Sequence, residues 1–323
     1  MKLVVTGGLG FIGSHFVTSA YKEGHEIIVL DKLTYAGRLE NLSTEILDGI
    51  QLHIIDIANS ENVRGFFDGM SEVDWIINFA AESHVDRSIV DSLPFIDSNV
   101  RGVVNLLETL RHGVVKNLLQ VSTDEVYGSI RDGSWTEDSL VAPRSPYSAS
   151  KASAELMCLS YMQTYGVNVL ITRCANNFGS KQAPEKFLPT IFSSLFQGKS
   201  IPVYGDGNNR REWIHVRDHV SAIMKLINLE NPKKSIYNIG GKEFSNLELV
   251  DMISGLFGFR ISPVEFVKDR LGHDFRYSLI DEQIRTETSW TPSEDFMGDL
   301  METLEWYKSN ELWLDEGIKR LKL

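Results

Sequence analysis

Short apolar runs alternate with amphipathic stretches through the first half of the chain. The apolar runs predict six strands, at Leu3–Thr6, Glu26–Leu30, Leu52–Ile55, Trp75–Phe79, Leu118–Ser122 and Asn168–Thr172. Such short, nearly continuous apolar runs are typical of strands that are buried on both faces of a parallel sheet. The stretches between them predict helices, among them Ile12–Lys22, Val100–His112 and Ala149–Thr164. This βαβα order predicts an α/β fold of the Rossmann type, with a doubly wound parallel sheet.

The pattern changes after Asn176, where prolines and glycines cluster and the strand–helix alternation lapses. A strand at Ile236–Ile239 is predicted to return to the main sheet, and helices are predicted at Asn246–Leu256 and Phe296–Asn310. We therefore predict a smaller, discontinuous α/β lobe over the carboxyl ends of the main strands, where open α/β sheets bind ligands. The predicted bounds are 1–175 and 214–241 for the Rossmann domain, and 176–213 and 242–323 for the lobe.

Composition narrows the classes of partner. The 323 residues include 32 Lys and Arg against 44 Asp and Glu, and the net charge of −12 leaves no global basic field for nucleic acid or an anionic membrane. No run approaches the roughly 20 apolar residues that span a bilayer. The two cysteines, Cys158 and Cys174, stand in apolar stretches, and the eight histidines show no metal-ligand spacing. These features predict a cytoplasmic protein without a metal or a disulfide.

A glycine-rich turn, Gly7-Gly8-Leu9-Gly10-Phe11-Ile12-Gly13, follows the first predicted strand and opens the first helix. Such a turn lets the backbone approach a pyrophosphate, to which the helix N-terminus offers free N–H groups. Asp31 ends the second strand, and a carboxylate there accepts hydrogen bonds from ribose hydroxyls and repels a 2′-phosphate, which favours NAD over NADP. The alternative is a turn needed only for packing, with Asp31 as a loop cap. Asp56 and Ile57 either contact the adenine or form a solvated strand end.

Tyr147 and Lys151 are four residues apart, a spacing that places both side chains on one face of a helix. Tyrosine is a poor base at neutral pH because its reference pKa is about 10. A nearby ammonium group and the positive ring of bound NAD would lower that pKa, and the same lysine can hold the cofactor's ribose. The pair alone is more often structural. Downstream of a Rossmann turn it predicts a catalytic base and its partner.

The segment Thr123-Asp124-Glu125 ends the fifth predicted strand, at the edge where such sheets bind ligands. Two adjacent carboxylates raise the pKa of one of them, which suits a general acid beside a general base. The structural alternative is a helix N-cap or a loop carboxylate pair.

Together these motifs resemble the extended short-chain dehydrogenase/reductases that act on nucleotide sugars, and within them the nucleoside-diphosphate-glucose 4,6-dehydratases. The Thr-Asp-Glu segment carries this distinction, since the related sugar 4-epimerases have no such carboxylate pair there. The resemblance runs from about residue 2 to residue 310. Further matching segments are Ala80–Ser88, Asn176–Gly179, Pro184–Lys186, Tyr204–Gly207, Arg211–Trp213 and Asp269–Asp274.

The motifs and the resemblance assign roles to individual residues. The catalytic residues are Thr123, Asp124, Glu125, Tyr147 and Lys151. The residues that bind NAD are Gly7, Gly10, Phe11, Ile12, Gly13, Asp31, Lys32, Thr34, Asp56, Ile57, Phe79, Ala80, Ala81, Ser83, Ser98, Tyr147, Lys151 and Asn177. The residues that bind the nucleotide sugar are Ser83, Thr123, Asn176, Lys186, Phe187, Pro202, Tyr204, Arg211, Asn246, Arg270 and His273. For His84 and Asp86 a structural loop role is favoured over an acid–base or metal pair.

The resemblance implies an NAD-dependent dehydration of dTDP-glucose to its 4-keto-6-deoxy derivative, with no net redox change. The alternatives are a 4,6-dehydratase acting on a UDP-sugar, a nucleotide-sugar 4-epimerase, and a non-catalytic NAD-binding regulatory module. A regulatory module would be free to lose Tyr147 and Lys151, and both are present.

Two departures from the family pattern bear on the nucleotide. Ser180-Lys181 stands where the family has a proline and an aromatic residue, and the chain ends with a charged tail. Both changes are expected to lie in the nucleotide and substrate lobe, so they leave the base of the nucleotide open. The resemblance implies a homodimer that pairs through two helices flanking the sheet. The helix at 100–110 carries apolar residues on more than one face, although a helix buried in the core has the same pattern.

Overall fold

The computed structural model describes residues 1–257 and 263–321. Within these ranges the strands are β1 (Lys2–Thr6), β2 (Glu26–Asp31), β3 (Gln51–Ile54), β4 (Val73–Asn78), β5 (Val115–Thr123), β6 (Asn168–Cys174), β7 (Asn176–Phe178), β8 (Ile201–Tyr204), β9 (Arg210–His215), β10 (Ile236–Ile239), β11 (Lys242–Ser245) and β12 (Val264–Val267).

The helices in the same ranges are α1 (Phe11–Lys22), α2 (Thr44–Gly49), α3 (Ser60–Phe67), α4 (Val85–Val90), α5 (Leu93–Phe95), α6 (Gly102–Arg111), α7 (Pro146–Tyr165), α8 (Phe187–Gln197), α9 (Val216–Ile227), α10 (Asn246–Leu256), α11 (Glu282–Thr288), α12 (Phe296–Ser309) and α13 (Glu311–Arg320). Two 3₁₀ turns lie at Leu39–Asn41 and Asp124–Tyr127, and a π-helical turn lies at Ile96–Arg101. Of the helices described, none has the length and apolar character needed to cross a bilayer.

The main sheet has seven parallel strands in the order β3-β2-β1-β4-β5-β6-β10. All six strands predicted from the first half of the chain lie in it, and the predicted fold class is confirmed. The predicted return of residues 236–239 is also confirmed, since β10 pairs in parallel with β6. From β1 the chain adds β2 and β3 on one side of the sheet and then adds β4 on the other side of β1. This switch between β1 and β4 creates a crevice at the carboxyl ends of these two strands.

Both faces of the sheet are covered, which explains why its strands are apolar at nearly every position. Leu3 and Val5 of β1 face one core, in which Phe16 of α1 packs. Val4 faces the opposite core, in which Val103 of α6 packs. Alternate residues of one strand therefore serve two separate layers of helices.

The second lobe has its own small sheets and core. Strands β7, β9 and β11 form one sheet, and β8 pairs with β12 in a second. The expectation that strand–helix alternation lapses after Asn176 is wrong, because β7, α8, β8, β9 and α9 follow in succession. Two prolines in this region argue against a helix and a strand when the sequence is considered alone. Pro189 stands in the first turn of α8, where a helix tolerates it, and Pro202 stands in the short strand β8. The domain bounds given above stay a prediction.

Candidate active site

Three adjoining cavities follow the carboxyl ends of the main strands. The edge cavity, about 90 Å³, lies beside Asp31 and Asp56 at the ends of β2 and β3. The central cavity, about 310 Å³, contains Tyr147 and Lys151 in its wall. The lobe cavity, about 290 Å³, extends into the second lobe, and Glu125 lines both it and the central cavity.

The structure brings every predicted site residue to one of these cavities. The predicted residues that line only the edge cavity are Asp31, Lys32, Thr34, Asp56, Ile57, Ala80 and Ser98. Those that line both the edge cavity and the central cavity are Gly7, Gly10, Phe79 and Ala81. Those at the central cavity are Phe11, Ile12, Gly13, Ser83, Thr123, Asp124, Tyr147, Lys151, Asn177 and Lys186. Those at the lobe cavity are Pro202, Tyr204, Arg211, Asn246, Arg270 and His273, while Glu125, Asn176 and Phe187 line both.

The glycine-rich turn leaves a bare backbone surface at the start of α1. Gly7 has φ +66°, and a Cβ on it would lie 2.7 Å from the backbone nitrogen of Ala80. A Cβ on Gly13 would lie 2.2 Å from the carbonyl oxygen of Gly7. The N-cap of α1, Gly10, has no side-chain cap, so the helix N-terminus is open to the cavities. These features fit a dinucleotide whose pyrophosphate lies against the helix N-terminus.

Asp31 connects the turn to the edge cavity. Its two carboxylate oxygens accept hydrogen bonds from the backbone N–H of Leu9 at 3.0 Å and of Leu33 at 2.9 Å. Burial raises the pKa of Asp31, and these two backbone hydrogen bonds oppose the shift. The carboxylate therefore caps the loop, as in the alternative given above, and also lines the predicted ribose site.

Replacing Gly13 by alanine is expected to destabilise the fold by about 1–3 kcal/mol and to weaken NAD binding, because the new methyl group overlaps the Gly7 carbonyl. Urea unfolding and NAD titration measure the two effects. Gly65→Ala is the matched control, because a Cβ on this residue of α3 meets no atom within 4 Å. Equal NAD affinity in the Gly13→Ala and Gly65→Ala variants would contradict this account of the turn.

Helix α7 carries the tyrosine–lysine pair. It begins with a capping box at Ser145 and with Pro146 in its first turn, so Tyr147 and Lys151 lie on successive turns near its start. Lys151 is 5% exposed, and its ammonium donates to the backbone carbonyl of Val121 at 2.6 Å. Burial lowers the pKa of Lys151 to about 8.

The protein alone does not lower the pKa of the tyrosine as the sequence predicts. Burial raises the pKa of Tyr147 well above its ordinary value, and the charges of Glu125 and Asp124 raise it further, while a hydrogen bond with Thr123 opposes the shift. Because Lys151 bonds to a backbone carbonyl rather than to the phenol, the expected lowering depends on the positive ring of the bound cofactor.

The adjacent carboxylates stand in two different environments. The Thr123 hydroxyl caps the 3₁₀ turn by accepting from the backbone N–H of Glu125 at 3.3 Å, and it lies 3.1 Å from Asp124 Oδ1. Burial, followed by the charge of Glu125, raises the pKa of Asp124 well above its ordinary value. Burial also raises the pKa of Glu125, against the opposing charges of Arg211, Arg270 and Lys186. Asp124 therefore has the more strongly raised pKa, while three cations oppose the rise at Glu125, and this difference suits an acid beside a base.

The N-cap alternative for this pair is wrong, because the side chain that caps the turn is that of Thr123 rather than either carboxylate. Asp124 is 1% exposed, and its Oδ2 atom has no hydrogen-bond partner among residues 1–257 and 263–321. A buried carboxyl oxygen without a partner is costly, so it is typical of a group that acts on a ligand.

Arg211 and Arg270 line the lobe cavity, Lys186 lines the adjoining central cavity, and each of these cations is held by groups of the chain. The guanidinium of Arg270 donates to both carboxylate oxygens of Asp86 at 2.7 and 2.8 Å. Lys186 donates to the backbone carbonyl of Ser83 at 2.8 Å, and Arg211 donates to the carbonyl of Asp274 at 2.8 Å. Planar guanidinium groups held in this way suit a diphosphate.

For His84 and Asp86 the favoured structural role stays a prediction, and their contacts are of that kind. Both residues line the lobe cavity, and His84 caps α4 by accepting from the backbone N–H of Arg87. Asp86 holds Arg270, which is 184 positions away along the chain and could not be paired with it from sequence. Residues 1–257 and 263–321 contain no group of three or more His, Cys, Asp or Glu side chains that could hold a metal ion.

Several cavity residues were missed from the sequence. Tyr35, Glu185 and Trp213 line the central cavity, and the last two also line the lobe cavity. Glu185 lies between two residues of a matching segment, which was the available signal. The placement of Ser180-Lys181 in the substrate lobe stays a prediction. Lys181 lines the central cavity, and its ammonium donates to the carbonyl of Asn41 at 2.8 Å.

The buried imidazole of His219 predicts acid sensitivity. Its Nδ1 lies 2.9 Å from Oδ1 of Asn177, and burial lowers its pKa to about 3. Unfolded histidine titrates near pH 6.5, so the unfolded chain binds the extra proton as pH falls below that value. At pH 5 this proton lowers the free energy of unfolding by about 2 kcal/mol relative to pH 7.

We expect His219→Gln to remove that share of the pH dependence between pH 7 and pH 5 in urea unfolding. His112→Gln, at an exposed position after α6, is expected to keep the wild-type dependence. An unchanged pH slope in the His219→Gln variant would show that His219 is not the titrating group.

The sequence was also compared with known families and proteins. A family model described as the NAD dependent epimerase/dehydratase family matches residues 3–240, more than half of the chain. The chain belongs to this family. Its cofactor is therefore NAD, in agreement with the open glycine-rich turn and with Asp31 at the end of β2.

Relatives within the family are similar along almost the whole chain. A dTDP-glucose 4,6-dehydratase from Streptomyces niveus is 43% identical, over 97% of this chain and 94% of that protein. A double mutant of DesIV, a dTDP-glucose 4,6-dehydratase from Streptomyces venezuelae solved with NAD bound, has a TM-score of 0.92 and 42% identity, covering 98% of this chain and 100% of that one. A UDP-glucose 4-epimerase from Thermotoga maritima has a TM-score of 0.89 at 26% identity, covering 96% and 100%. The fold alone therefore does not separate dehydratases from epimerases.

Proposed function

We propose that this protein is an NAD-dependent dTDP-glucose 4,6-dehydratase, which forms dTDP-4-keto-6-deoxyglucose in deoxysugar biosynthesis. One observation carries the proposal: Asp124 and Glu125 lie beside Tyr147 in the central cavity, and Glu125 reaches the junction with the lobe cavity. The similarity to dTDP-glucose 4,6-dehydratases over nearly the full length supports the choice of substrate.

The reaction begins at C4 of the glucose. Bound NAD supplies the hydride acceptor for C4, the hydride donor for C6 and a positive charge. Tyr147 removes the proton of the C4 hydroxyl group, and Thr123, which lines the same cavity, steadies the oxygen as it becomes a ketone. Lys151 holds the cofactor's ribose and fixes the start of α7 against β5 through Val121.

The two carboxyl groups, which differ in the size of their pKa shifts, then remove water from the sugar. The C4 ketone acidifies the proton at C5, which Glu125 removes as general base. Asp124 donates its proton to the C6 hydroxyl group, which leaves as water. A proton then returns to C5 when C6 is reduced, so the reaction has no net redox change and the cofactor stays bound.

Proton NMR of the protein with dTDP-glucose, and separately with UDP-glucose, tests this function without added reductant. We expect a new C6 methyl doublet with dTDP-glucose, formed faster than with UDP-glucose. Faster conversion of UDP-glucose would move the assignment to a UDP-sugar dehydratase. A galactose-type anomeric signal without a methyl signal would mean a 4-epimerase, and no change with either sugar would favour a binding module.

We further propose a homodimer, but on a different surface from the one that the sequence indicates. The apolar residues of α6, among them Val103, Leu106 and Leu107, are buried within the chain, so their pattern is explained by the core. Val90 and Leu93 are 88% and 67% exposed on the neighbouring helices α4 and α5. These helices pack against α7, which offers a continuous helical face to a second copy.

Leu93→Asp is expected to convert the dimer to a monomer in sedimentation equilibrium, because it buries a charge in the proposed interface. Leu140→Asp, 87% exposed and outside these helices, is the matched control and is expected to stay dimeric. A dimeric Leu93→Asp variant would exclude this face.

A cytoplasmic location is part of the proposal. Cys158 and Cys174 are both free thiols buried in the protein, as expected in a reducing compartment. Localisation of the tagged full-length chain in its native cell tests this expectation.

A further inference from the structure

Helix α13 docks on the segment that supports the glycine-rich turn. Arg38 is 2% exposed, and its guanidinium donates to the backbone carbonyl of Trp313 at 2.7 Å and to a carboxylate oxygen of Glu316 at 3.0 Å. The same guanidinium lies over the indole ring of Trp313, 4.3 Å from the centroid. Helix α13 is therefore held against Arg38 by a buried charge, a ring and a backbone carbonyl.

A second contact continues to the turn itself. The indole N–H of Trp313 donates to Oδ1 of Asn41 at 3.2 Å, and the amide of Asn41 donates to the carbonyl of Leu9 at 2.8 Å. The backbone N–H of Arg38 donates to the same Leu9 carbonyl at 3.1 Å. Leu9 is the residue between Gly8 and Gly10 of the glycine-rich turn. Both of these hydrogen bonds to the Leu9 carbonyl come from the segment 38–41, which α13 contacts.

Helix α13 also touches the other side of the central cavity. A Cβ on Gly317 would lie 2.7 Å from Cγ of Pro184, the residue before Glu185 and Lys186 in the cavity wall. Lys181, from the same connection, donates to the carbonyl of Asn41 at 2.8 Å. Helix α13 and the connection at residues 181–186 therefore both contact Asn41. Helix α13 also packs against Pro184 of this connection.

We propose that α13, through Trp313, Arg38 and Asn41, forms a clasp that keeps the glycine-rich turn closed on NAD and slows its release. The clasp consists of positioning residues, since Trp313, Arg38 and Asn41 do not line the three cavities. Opening the turn would break the hydrogen bonds to Leu9 and separate the Arg38 guanidinium from Trp313 and Glu316, and the loss of these contacts opposes it. The inference rests on NAD binding and on the proposed redox-neutral cycle, in which the cofactor serves many turnovers, but not on which sugar is used.

Exchange of bound NAD with isotopically labelled NAD tests the clasp on the full-length protein. We expect Trp313→Ala to speed exchange about ten-fold, equivalent to about 1.4 kcal/mol. Trp313→Phe keeps the ring under Arg38 but loses the N–H donor to Asn41, so its exchange rate is expected to lie between wild type and Trp313→Ala. The KM for the nucleotide sugar is expected to stay at its wild-type value in both variants.

Two controls separate the clasp from general loss of stability. Leu312→Ala changes a side chain of α13 that is 80% exposed, and is expected to keep the wild-type exchange rate. Ile253→Val shortens a fully buried residue of the second-lobe core, and is expected to lower the melting temperature without changing exchange.

The proposal is overturned if folded Trp313→Ala exchanges NAD at the wild-type rate, or if Ile253→Val speeds exchange as much. If Trp313→Ala does not fold, the NAD exchange rates of Trp313→Phe and Arg38→Lys are compared with those of wild type and Ile253→Val instead. Each of these two variants keeps part of the contact between Arg38 and Trp313. The C6 methyl signal of the wild-type protein is read separately. A failed clasp therefore leaves that signal present, whereas a wrong proposed function removes it.

Discussion

Asp124→Asn combined with Glu125→Gln is expected to leave oxidation at C4 intact while preventing the loss of water. Tyr147 and Lys151 remain in this variant, so the first step can proceed. The C5 proton and the C6 hydroxyl group lose their base and their acid, and each such group typically contributes about 10²–10⁴-fold to a rate. We therefore expect the absorbance of the reduced cofactor to rise after addition of dTDP-glucose, with no methyl signal in the NMR spectrum.

The amide replacements keep the size of both side chains, so the turn capped by Thr123 should persist. Asp138→Asn, in which a side chain that is 83% exposed loses its charge, is the control and is expected to give full turnover. Deoxysugar formation by the double variant at the wild-type rate would remove Asp124 and Glu125 from the chemistry.

Tyr147→Phe is expected to stop the reaction before hydride transfer. The ring remains in its buried place near the start of α7, but the C4 hydroxyl group loses the acceptor for its proton. A loss of about 10²–10⁴-fold in kcat follows from removal of one general base. Neither reduced cofactor nor deoxysugar should accumulate in a stopped-flow and NMR time course, which distinguishes this variant from the carboxylate double variant.

Tyr161→Phe provides a matched control on the same helix. Its hydroxyl group donates to Glu108 away from the three cavities, so its loss should leave turnover unchanged. If Tyr147→Phe turned over at the rate of Tyr161→Phe, another group would have to accept the C4 proton.

The parallel sheet could be predicted because its physical cause is local. A strand covered by helices on both faces must be apolar at nearly every position, as in Leu3–Val5, and this run is visible without any knowledge of pairing. The cofactor turn was visible for a similar reason, since Gly7 and Gly13 meet backbone atoms that exclude a side chain. For Gly13 the backbone atom is only six positions away, whereas Gly7 meets the distant Ala80 and is recognised from the local glycine spacing.

The environment of the carboxylates could not be predicted in the same way. The cations that oppose the raised pKa of Glu125 belong to three distant segments, at Lys186, Arg211 and Arg270. The contact of Arg38 with Trp313 joins residues 275 positions apart, and the sequence shows only a charged tail there. Such pairs depend on how the second lobe folds back over the first, which no local pattern encodes.

Transfer of deuterium from C4 to C6 tests the central claim most directly. The protein would be given dTDP-glucose labelled with deuterium at C4, and the product examined by NMR and mass spectrometry without added reductant. The account predicts that the label appears in the C6 methyl group, because the hydride removed at C4 is returned within the same closed site. A methyl group without the label, or label that remains at C4, would contradict it.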